Sequence, residues 1–521
     1  MKKKNSLKLT VLKQTAIKLT ALKQTAIKLT AVLLAAALTL GGCGMLGTAE
    51  PETPSAENAA SENASNENMS TETASSETAS SENSADDSQI SAFGGENGEF
   101  AVPKVPEGER PNEIVISLEG ENSYVNEAAE KYMALHDGVK ITVKQVDTQN
   151  SRDKYLQVVS TELMSGSGAD IYDAIFLSYY KLADSGMLAD FNEYIGEDVK
   201  NGSYSSALMD AALFGGKRYT AILSYNFNAY EIDTAAADEY GVTFPEGKIG
   251  VSDEYGVTIP DGNLKLSDLQ NLSEQLPKDG SLALFSGGGS GMNDLTLADL
   301  LVAMNFNKFV DLPGKSANFE TDLFYDVINT VNRIAENKQI GLAKNEDYGS
   351  DGKALIHPYM LYTPAMSHNG TVDYKNMRLI VNDDGFAPFS CASFLPVLNA
   401  NGKNKELAAD FIKFMLSDEM QSSPSLLFCP VNKNAINEIS HLSYEDSKSG
   451  GYLPEGFTED TLGSNIAKFN ELSENLGIFL YQERYINRLI WDELSRIFSE
   501  GITAQEAAAN LTGAVNLYLN E

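Results

Sequence analysis

The sequence predicts an α/β body with mainly parallel sheets, carried behind a long export and tether region. Three observations lead there. From about Asn112 onward, short β-branched runs alternate with amphipathic runs of helical period. Ahead of them, glutamate recurs every five residues in a stretch without cationic side chains. At the start, a basic segment runs into the apolar stretch Ala31 to Leu40 and then Gly41-Gly42-Cys43. Alternating strand and helix patterns mark parallel sheets, because each parallel pair needs a crossover helix to return the chain.

The N-terminal order of basic segment, apolar run and small residues is that of a secretory signal. The apolar run is about half the ~20 residues that span a bilayer, too short for a permanent transmembrane helix. Lys8 to Ile17 recurs as Lys18 to Ile27, which lengthens the basic part and has no role in the fold. Leu40-Gly41-Gly42-Cys43 resembles the lipobox of bacterial lipoproteins. That resemblance implies that residues 1–42 are a signal peptide and that Cys43 becomes the acylated first residue of the mature chain. Two or more acyl chains anchor stably where one does not. Everything after Cys43 is then expected on the extracytoplasmic face of the cell membrane, attached through lipid alone.

Residues 43–108 read as a disordered tether. Glu52, Glu57, Glu62, Glu67, Glu72, Glu77 and Glu82 are separated by Ser, Ala, Asn and Thr, and Gly44 to Phe100 contains no Lys or Arg. A period of five matches neither helix nor strand, so no apolar face forms. Low hydrophobicity and uncompensated charge leave such a segment unfolded. A coil of that length spans roughly 40 Å.

The 521-residue chain carries a formal charge of −34, and loss of the signal removes eight lysines and no acid. So acidic a protein is a poor partner for nucleic acid or an anionic lipid surface. Of three cysteines, Cys391 and Cys429 remain in the body. They allow one disulfide or two free thiols in an exported protein.

The body, residues 109–521, begins with Glu113 to Leu118, whose isoleucines and valine predict a strand. Val125 to Leu135 follows as a helix, Val139 to Val146 alternates as a strand, and Lys154 to Met164 is helical, closed by Gly166 and Gly168. Ile171 to Phe176 reads as a short buried strand. Later, Lys405 to Met420 sets Leu407, Ala408, Phe411, Ile412 and Met415 on one face, an amphipathic helix. Phe479 to Ser499 and Ala504 to Leu519 are predicted as closing helices around Gly501. Asp238 to Gly247 returns as Asp253 to Gly262, a tandem duplication in a surface loop.

Catalytic signatures are missing. Ser286 to Gly291 lacks the lysine of a phosphate loop, and Met292 occupies the last glycine position of a nucleophile elbow. The four histidines, His136, His357, His368 and His441, have no zinc-ligand spacing on one helix. No enzyme activity, cofactor or metal is expected.

Tyr155 to Ile195 carries Met164-Ser165-Gly166, Gly168-Ala169-Asp170-Ile171 and Gly186-Met187-Leu188-Ala189-Asp190-Phe191-Asn192. This pattern resembles the extracellular solute-binding proteins of ABC importers, the maltose-binding-like group. The likeness continues through Gly216 to Tyr219, Asn404 to Phe414, Pro430 to Lys433 and Tyr518 to Glu521. Two departures touch the hinge: Tyr219 to Tyr225 lacks the group's proline, and the 238–262 duplication falls where one unit is expected.

The resemblance implies a two-lobed periplasmic-binding-protein-like fold of class II, with interleaved lobes joined by a hinge. Lobe one is expected at about 112–222 and 391–428, and lobe two at about 228–387 and 433–521. It further implies a monomer that closes on a small ligand, a sugar or oligosaccharide, and delivers it to ABC transporter permease subunits. Ligands of α/β sheets lie outside the carboxyl ends of strands. That rule selects Glu119, Glu121, Asn122 and Tyr124 after the first strand, and Ser178 and Tyr179 after the third. The resemblance adds Ser224, Tyr225 and Asn226 at the first crossing, and Asp384 and Phe386 at a later one. Trp491, the sole tryptophan, has Ile490 and Leu494 beside it and reads as core rather than ligand platform. Rival readings are a surface lipoprotein for sensing or polymer adhesion, and an extracellular hydrolase, which the missing catalytic groups disfavour.

Overall fold

The computed structural model describes residues 112–146, 152–200, 203–242, 262–287, 292–341, 353–363, 366–367, 374–391, 394–451, 453, 456–480 and 483–521. The signal, Cys43, the pentad tether, most of the 238–262 duplication and residues 288–291 of the glycine-rich loop lie outside them. The described residues belong to one compact unit.

The body opens as a β-α-β-α-β run. Strand β1 (Glu113–Leu118) pairs in parallel with β2 (Lys140–Gln145) from Glu113↔Lys140 to Leu118↔Gln145. Helix α1 (Ser123–Leu135) connects them, its N-cap supplied by Asn122, which accepts the Val125 N–H at 3.1 Å. Tyr124, Val125, Ala128, Ala129 and Tyr132 form its buried stripe, at the spacing of one helical face. Helix α2 (Arg152–Met164) leads to β3 (Ile171–Asp173), parallel to β1. The strand stops at Asp173 rather than Phe176, because the Asp173 carboxylate accepts the Ile175 N–H at 3.1 Å and turns the chain. Tyr155 of α2 locks this end. Its hydroxyl is 3.0 Å from the carbonyls of Ser117 and Asp173, and it accepts the Asp173 N–H at 3.1 Å.

After helix α3 (Tyr179–Asp184) and a Gly215-Gly216 hairpin, the chain reaches β4 (Ser224–Tyr225) and enters a second sheet. That sheet contains β5 (Phe227–Ile232), β6 (Leu282–Phe285), β7 (Lys353–Thr363), β8 (Met366–Ser367) and β9 (Met377–Arg378), in the order β8-β7-β5-β9 with β6 also on β7. The β6–β7 pair is parallel and the others are antiparallel. Helices α4 (Asp294–Ala303) and α5 (Asp322–Glu336) pack together on this side. Gln339, just after α5, anchors the sheet: its carbonyl accepts from Leu284 N–H at 2.7 Å.

The chain then returns. After β10 (Ala387–Phe389), strand β11 (Pro396–Leu398) adds antiparallel to β3 and completes the first sheet in the order β11-β3-β1-β2. Asp170 clasps this return: it is 1% exposed, and its two carboxylate oxygens accept Val115 N–H at 2.8 Å and Lys403 N–H at 3.0 Å. Helix α6 (Lys405–Met415) packs on α1, where Tyr124 donates to the Met415 carbonyl and Tyr132 to Asp410, both at 2.6 Å. The helix predicted to run to Met420 ends at Met415, because Ser417 caps a separate turn, α7 (Asp418–Gln421). Strand β12 (Cys429–Pro430) then pairs antiparallel with β4, carrying the chain across again into α8 (Lys433–Gly450).

The C-terminal region contains α9 (Glu459–Ser473), β13 (Leu476–Phe479), α10 (Arg484–Glu500) and α11 (Ala504–Asn520). The expected helix from Phe479 begins only at Arg484, because Leu476 to Phe479 is a strand paired in parallel with β10. Gly477 lets the Phe386 ring lie close to the strand; a Cβ there would come within 2.5 Å of that ring and push it aside. On α10, Ile490 and Leu494 face the core while Trp491 beside them is half-buried. Cys391 and Cys429 are both buried, and no disulfide joins them. No helix among the described residues is long and apolar enough to cross a membrane.

Candidate functional site

The carboxyl ends of β1 and β3 converge on the first turn of α10. Glu119 follows β1 directly, and Arg152 opens α2, with Arg152 Nε 3.5 Å from Glu119 Oε1. Phe176, in the turn after β3, lies beneath two guanidinium groups. The Arg152 carbon is 3.7 Å from its ring centroid and the Arg484 carbon 4.5 Å. Both distances are within cation–π range.

Two carboxyl groups are buried at the same junction. Asp173 accepts the N–H groups of Ile175 and Leu395, each at 3.1 Å; burial pushes it up to about 7 against the pull of those donors. Glu483 caps α10 and is fully buried. Its Oε1 accepts from Ser178 at 2.9 Å, from Tyr485 N–H at 3.0 Å and from Tyr518 at 3.1 Å. Burial likewise pushes Glu483 up to about 7. Lys181 donates to the Tyr518 carbonyl at 2.8 Å and stacks over its ring, and Lys315 pairs with Asp184 at 2.7 Å. These contacts tie the turn after β3 and α3 to α10, α11 and the 315 turn.

The sequence-selected residues divide among three environments. Glu119, Asn122 and Ser178 are half-buried near the strand ends, and Glu121 is exposed. Asn122 is engaged as the α1 cap. Tyr124 and Tyr179 lie inside the core at 1% and 0% exposure, their hydroxyls bound to the carbonyls of Met415 and Ala212. Ser224, Tyr225 and Asn226 are buried in the crossing, where Asn226 accepts from Ser390 at 2.7 Å. Asp384 and Phe386 are exposed at the amino end of the β10/β13 pair, with Asp384 held by Lys308 at 2.6 Å. Glu483 follows the carboxyl end of that pair, so the two groups stand at opposite ends.

Sequence reasoning omitted Arg152, Phe176, Glu483, Arg484 and Tyr518. Phe176 was within reach of the carboxyl-end rule, two residues from Ser178. Arg484 and Tyr518 arrive from more than 300 residues away, and no local signal places them there.

Two cavities lie away from this junction. One of about 420 Å³ is lined by Asp184, Asp190, Phe214, Lys217 and Tyr219. The other, about 450 Å³, is lined by Glu197, Tyr204, Asp210, Arg218 and Lys433. Among the described residues, no group of three His, Cys, Asp or Glu could hold a metal ion. The junction itself offers guanidinium forks, carboxyls, a hydroxyl and an aromatic ring, which is equipment for binding a polar ligand.

Residues 116–422 match the bacterial extracellular solute-binding protein family. That stretch covers β1 to α7, more than half of the chain. The chain belongs to this family. No curated protein matches it. Its fold is similar to that of the sugar-binding protein MalE from the phytopathogen Xanthomonas citri, at 12% identity and a TM-score of 0.51 over 78% of this chain and 97% of that one. It is also similar to a periplasmic oligogalacturonide binding protein from Yersinia enterocolitica, at 14% identity and a TM-score of 0.50 over 78% and 98%. The architecture is accordingly the two-lobed α/β fold of periplasmic binding proteins. In a solute-binding protein of this kind, the junction of β1, β3 and α10 lies where the carboxyl-end rule puts the ligand.

Proposed function

We propose that this protein is a lipid-anchored extracytoplasmic receptor that binds a carbohydrate between two lobes and delivers it to an ABC importer. The observation that carries the reading is the convergence of Arg152, Phe176 and Arg484 at the carboxyl ends of β1 and β3. Lobe one comprises 112–222 and 391–428, consistent with β11 joining the first sheet and α6 packing on α1. Lobe two comprises 228–387 and 433–521. Ligand contacts come from Glu119, Glu121, Asn122 and Ser178 together with Arg152, Phe176 and Arg484. Closure about the 219–226, 390–395 and 429–432 crossings is a hinge motion, and the ligand drives it by binding the closed state better. Cys43 holds the mature chain at the membrane, and the glutamate-rich tether gives it reach.

A melting experiment on residues 87–521 tests this. A saccharide from a mono- and oligosaccharide panel should raise the melting temperature with concentration, as any ligand of the native state does. A shift with peptides or polyamines and none with saccharides would refute the carbohydrate assignment.

A further inference from the structure

Helix α3 spends its polar side chains on the other lobe. Ser178 occupies its N-cap position, where a serine ordinarily accepts a backbone N–H of its own helix, yet its side chain makes no such bond. The hydroxyl goes instead to Glu483 at 2.9 Å and lies 3.1 Å from the Tyr518 hydroxyl. Lys181, three residues on, donates to the Tyr518 carbonyl at 2.8 Å, with its Nζ 3.7 Å from the ring centroid of the same residue. Asp184, three further, pairs with Lys315 at 2.7 Å. Residues three apart are neighbours on a helix surface, so these side chains form one stripe.

The receiving side is braced. Lys181 meets the C-terminal end of α11, where carbonyls lack helical partners and the helix dipole favours a cation. Thr512, Asn516 and Asn520, spaced by four along α11, stitch it to the hairpin of Val310–Asp311 and Ser316–Ala317. Thr512 accepts Phe319 N–H at 2.9 Å, and Asn516 accepts from and donates to the Ala317 backbone at 2.9 and 2.8 Å. Asn520 donates to the Lys315 carbonyl at 3.2 Å. Lys315 itself stands at φ +50°, in the left-handed region that a residue with a Cβ rarely adopts. Glycine would fit that backbone without strain; lysine adds a side chain that reaches Asp184.

The stripe also lies on the cleft side. Helix α3 follows the carboxyl end of β3, and α10 follows the carboxyl end of the parallel β10/β13 pair. Their contact therefore joins the two strand-end faces between which the ligand is expected.

We propose that α3 is a latch: Lys181 and Asp184 hold the lobes together across the cleft without touching ligand, bias the protein toward its closed arrangement and so raise its affinity. This rests on the two-lobe receptor reading above and adds a determinant of affinity outside the ligand contacts. A ligand that binds only the closed state has its apparent affinity scaled by the closed fraction, so the latch tightens every ligand by one common factor.

The test is a spin-label distance measurement that needs no ligand. Labels go on Glu130→Cys and Glu336→Cys, both exposed positions, in the chain from residue 43 onward carrying Cys43→Ser. Lys181→Met keeps the aliphatic stem and removes the charged donor. Lys315→Asn removes the charge, and asparagine tolerates the left-handed backbone. Each variant should shift the unliganded distribution toward longer distances, and exchanging the pair, Asp184→Lys with Lys315→Asp, should shift it back. For each saccharide of the panel that binds, calorimetry should show the same weakening in Lys181→Met, about tenfold, with selectivity among saccharides unchanged. Distributions in Lys181→Met and Lys315→Asn that match the original overturn the latch, whatever the binding result. A loss that differs from one saccharide to the next also overturns it, because Lys181 would then be a ligand contact. If the original protein binds no saccharide, the receptor reading fails, and the distance distributions still decide the latch.

Discussion

Ser178 Oγ donates to Glu483 Oε1 across 2.9 Å, joining the turn after β3 to the cap of α10 over a sequence separation of 305 residues. The two residues belong to opposite sides of the proposed cleft, so this bond must lengthen or break whenever the lobes part. It also places a buried carboxyl at that contact.

Ionisation of that carboxyl makes stability depend on pH. Glu483, Asp173 and Asp299 are each pushed up to about 7, burial being the largest cause in all three. The folded-state values lie above the unfolded ones, so the native protein holds extra protons between about pH 4 and 7. The cost of these groups is therefore present above pH 7 and relieved as pH falls toward 4.5. Thermal melts should show a higher midpoint at pH 5.5 than at pH 8, and Glu483→Gln should raise the midpoint more at pH 8 than at pH 5.5. A midpoint that falls steadily from pH 8 to 5.5 in both proteins would contradict this.

Asp170 is predicted to be structural. Its removal in Asp170→Ala strips the acceptor from two N–H groups, those of Val115 and Lys403. Buried donors left without partners cost about 1–3 kcal/mol each, so the loss should be about 2–5 kcal/mol by chemical denaturation. A change below about 1 kcal/mol would mean that the clasp is redundant.

Tyr124 separates fold from binding. Its hydroxyl ends on Met415 O within the core, so Tyr124→Phe should cost about 1 kcal/mol of stability and leave ligand affinity unchanged. A tenfold loss of affinity in a stable variant would return Tyr124 to the binding site.

The anchor has its own test. Cys43→Ser should abolish incorporation of labelled palmitate and move the protein from the membrane to the soluble fraction. Persistent lipid labelling would assign the anchor elsewhere.

Much of the fold was legible in the sequence because its signals are local. The β1, α1, β2, α2 run follows from β-branched runs, the helical runs between them and the glycines after Met164, each read from neighbouring residues. Where long-range pairing decides, the reading slipped. Leu476 to Phe479 is a strand only because β10 lies beside it, and Ile171 to Asp173 stops early because Asp173 folds back on its own backbone. The site was the least legible part. Position after a strand selected Tyr124 and Tyr179 along with Glu119 and Ser178, but helical phase turned the tyrosines into the core. The partners that complete the junction, Arg484 and Tyr518, come from the far end of the chain.

Closure of the two lobes on a saccharide is the central claim, and a distance measurement tests it most directly. Spin labels at Glu130 on α1 and Glu336 on α5, both exposed, report on the two sides. In residues 87–521, which lack Cys43, the cysteines Cys391 and Cys429 are buried and should escape labelling. Saturation with the saccharide that raises the melting temperature should shorten and narrow the distance distribution. An unchanged distribution at saturation would contradict closure as the basis of this protein's function.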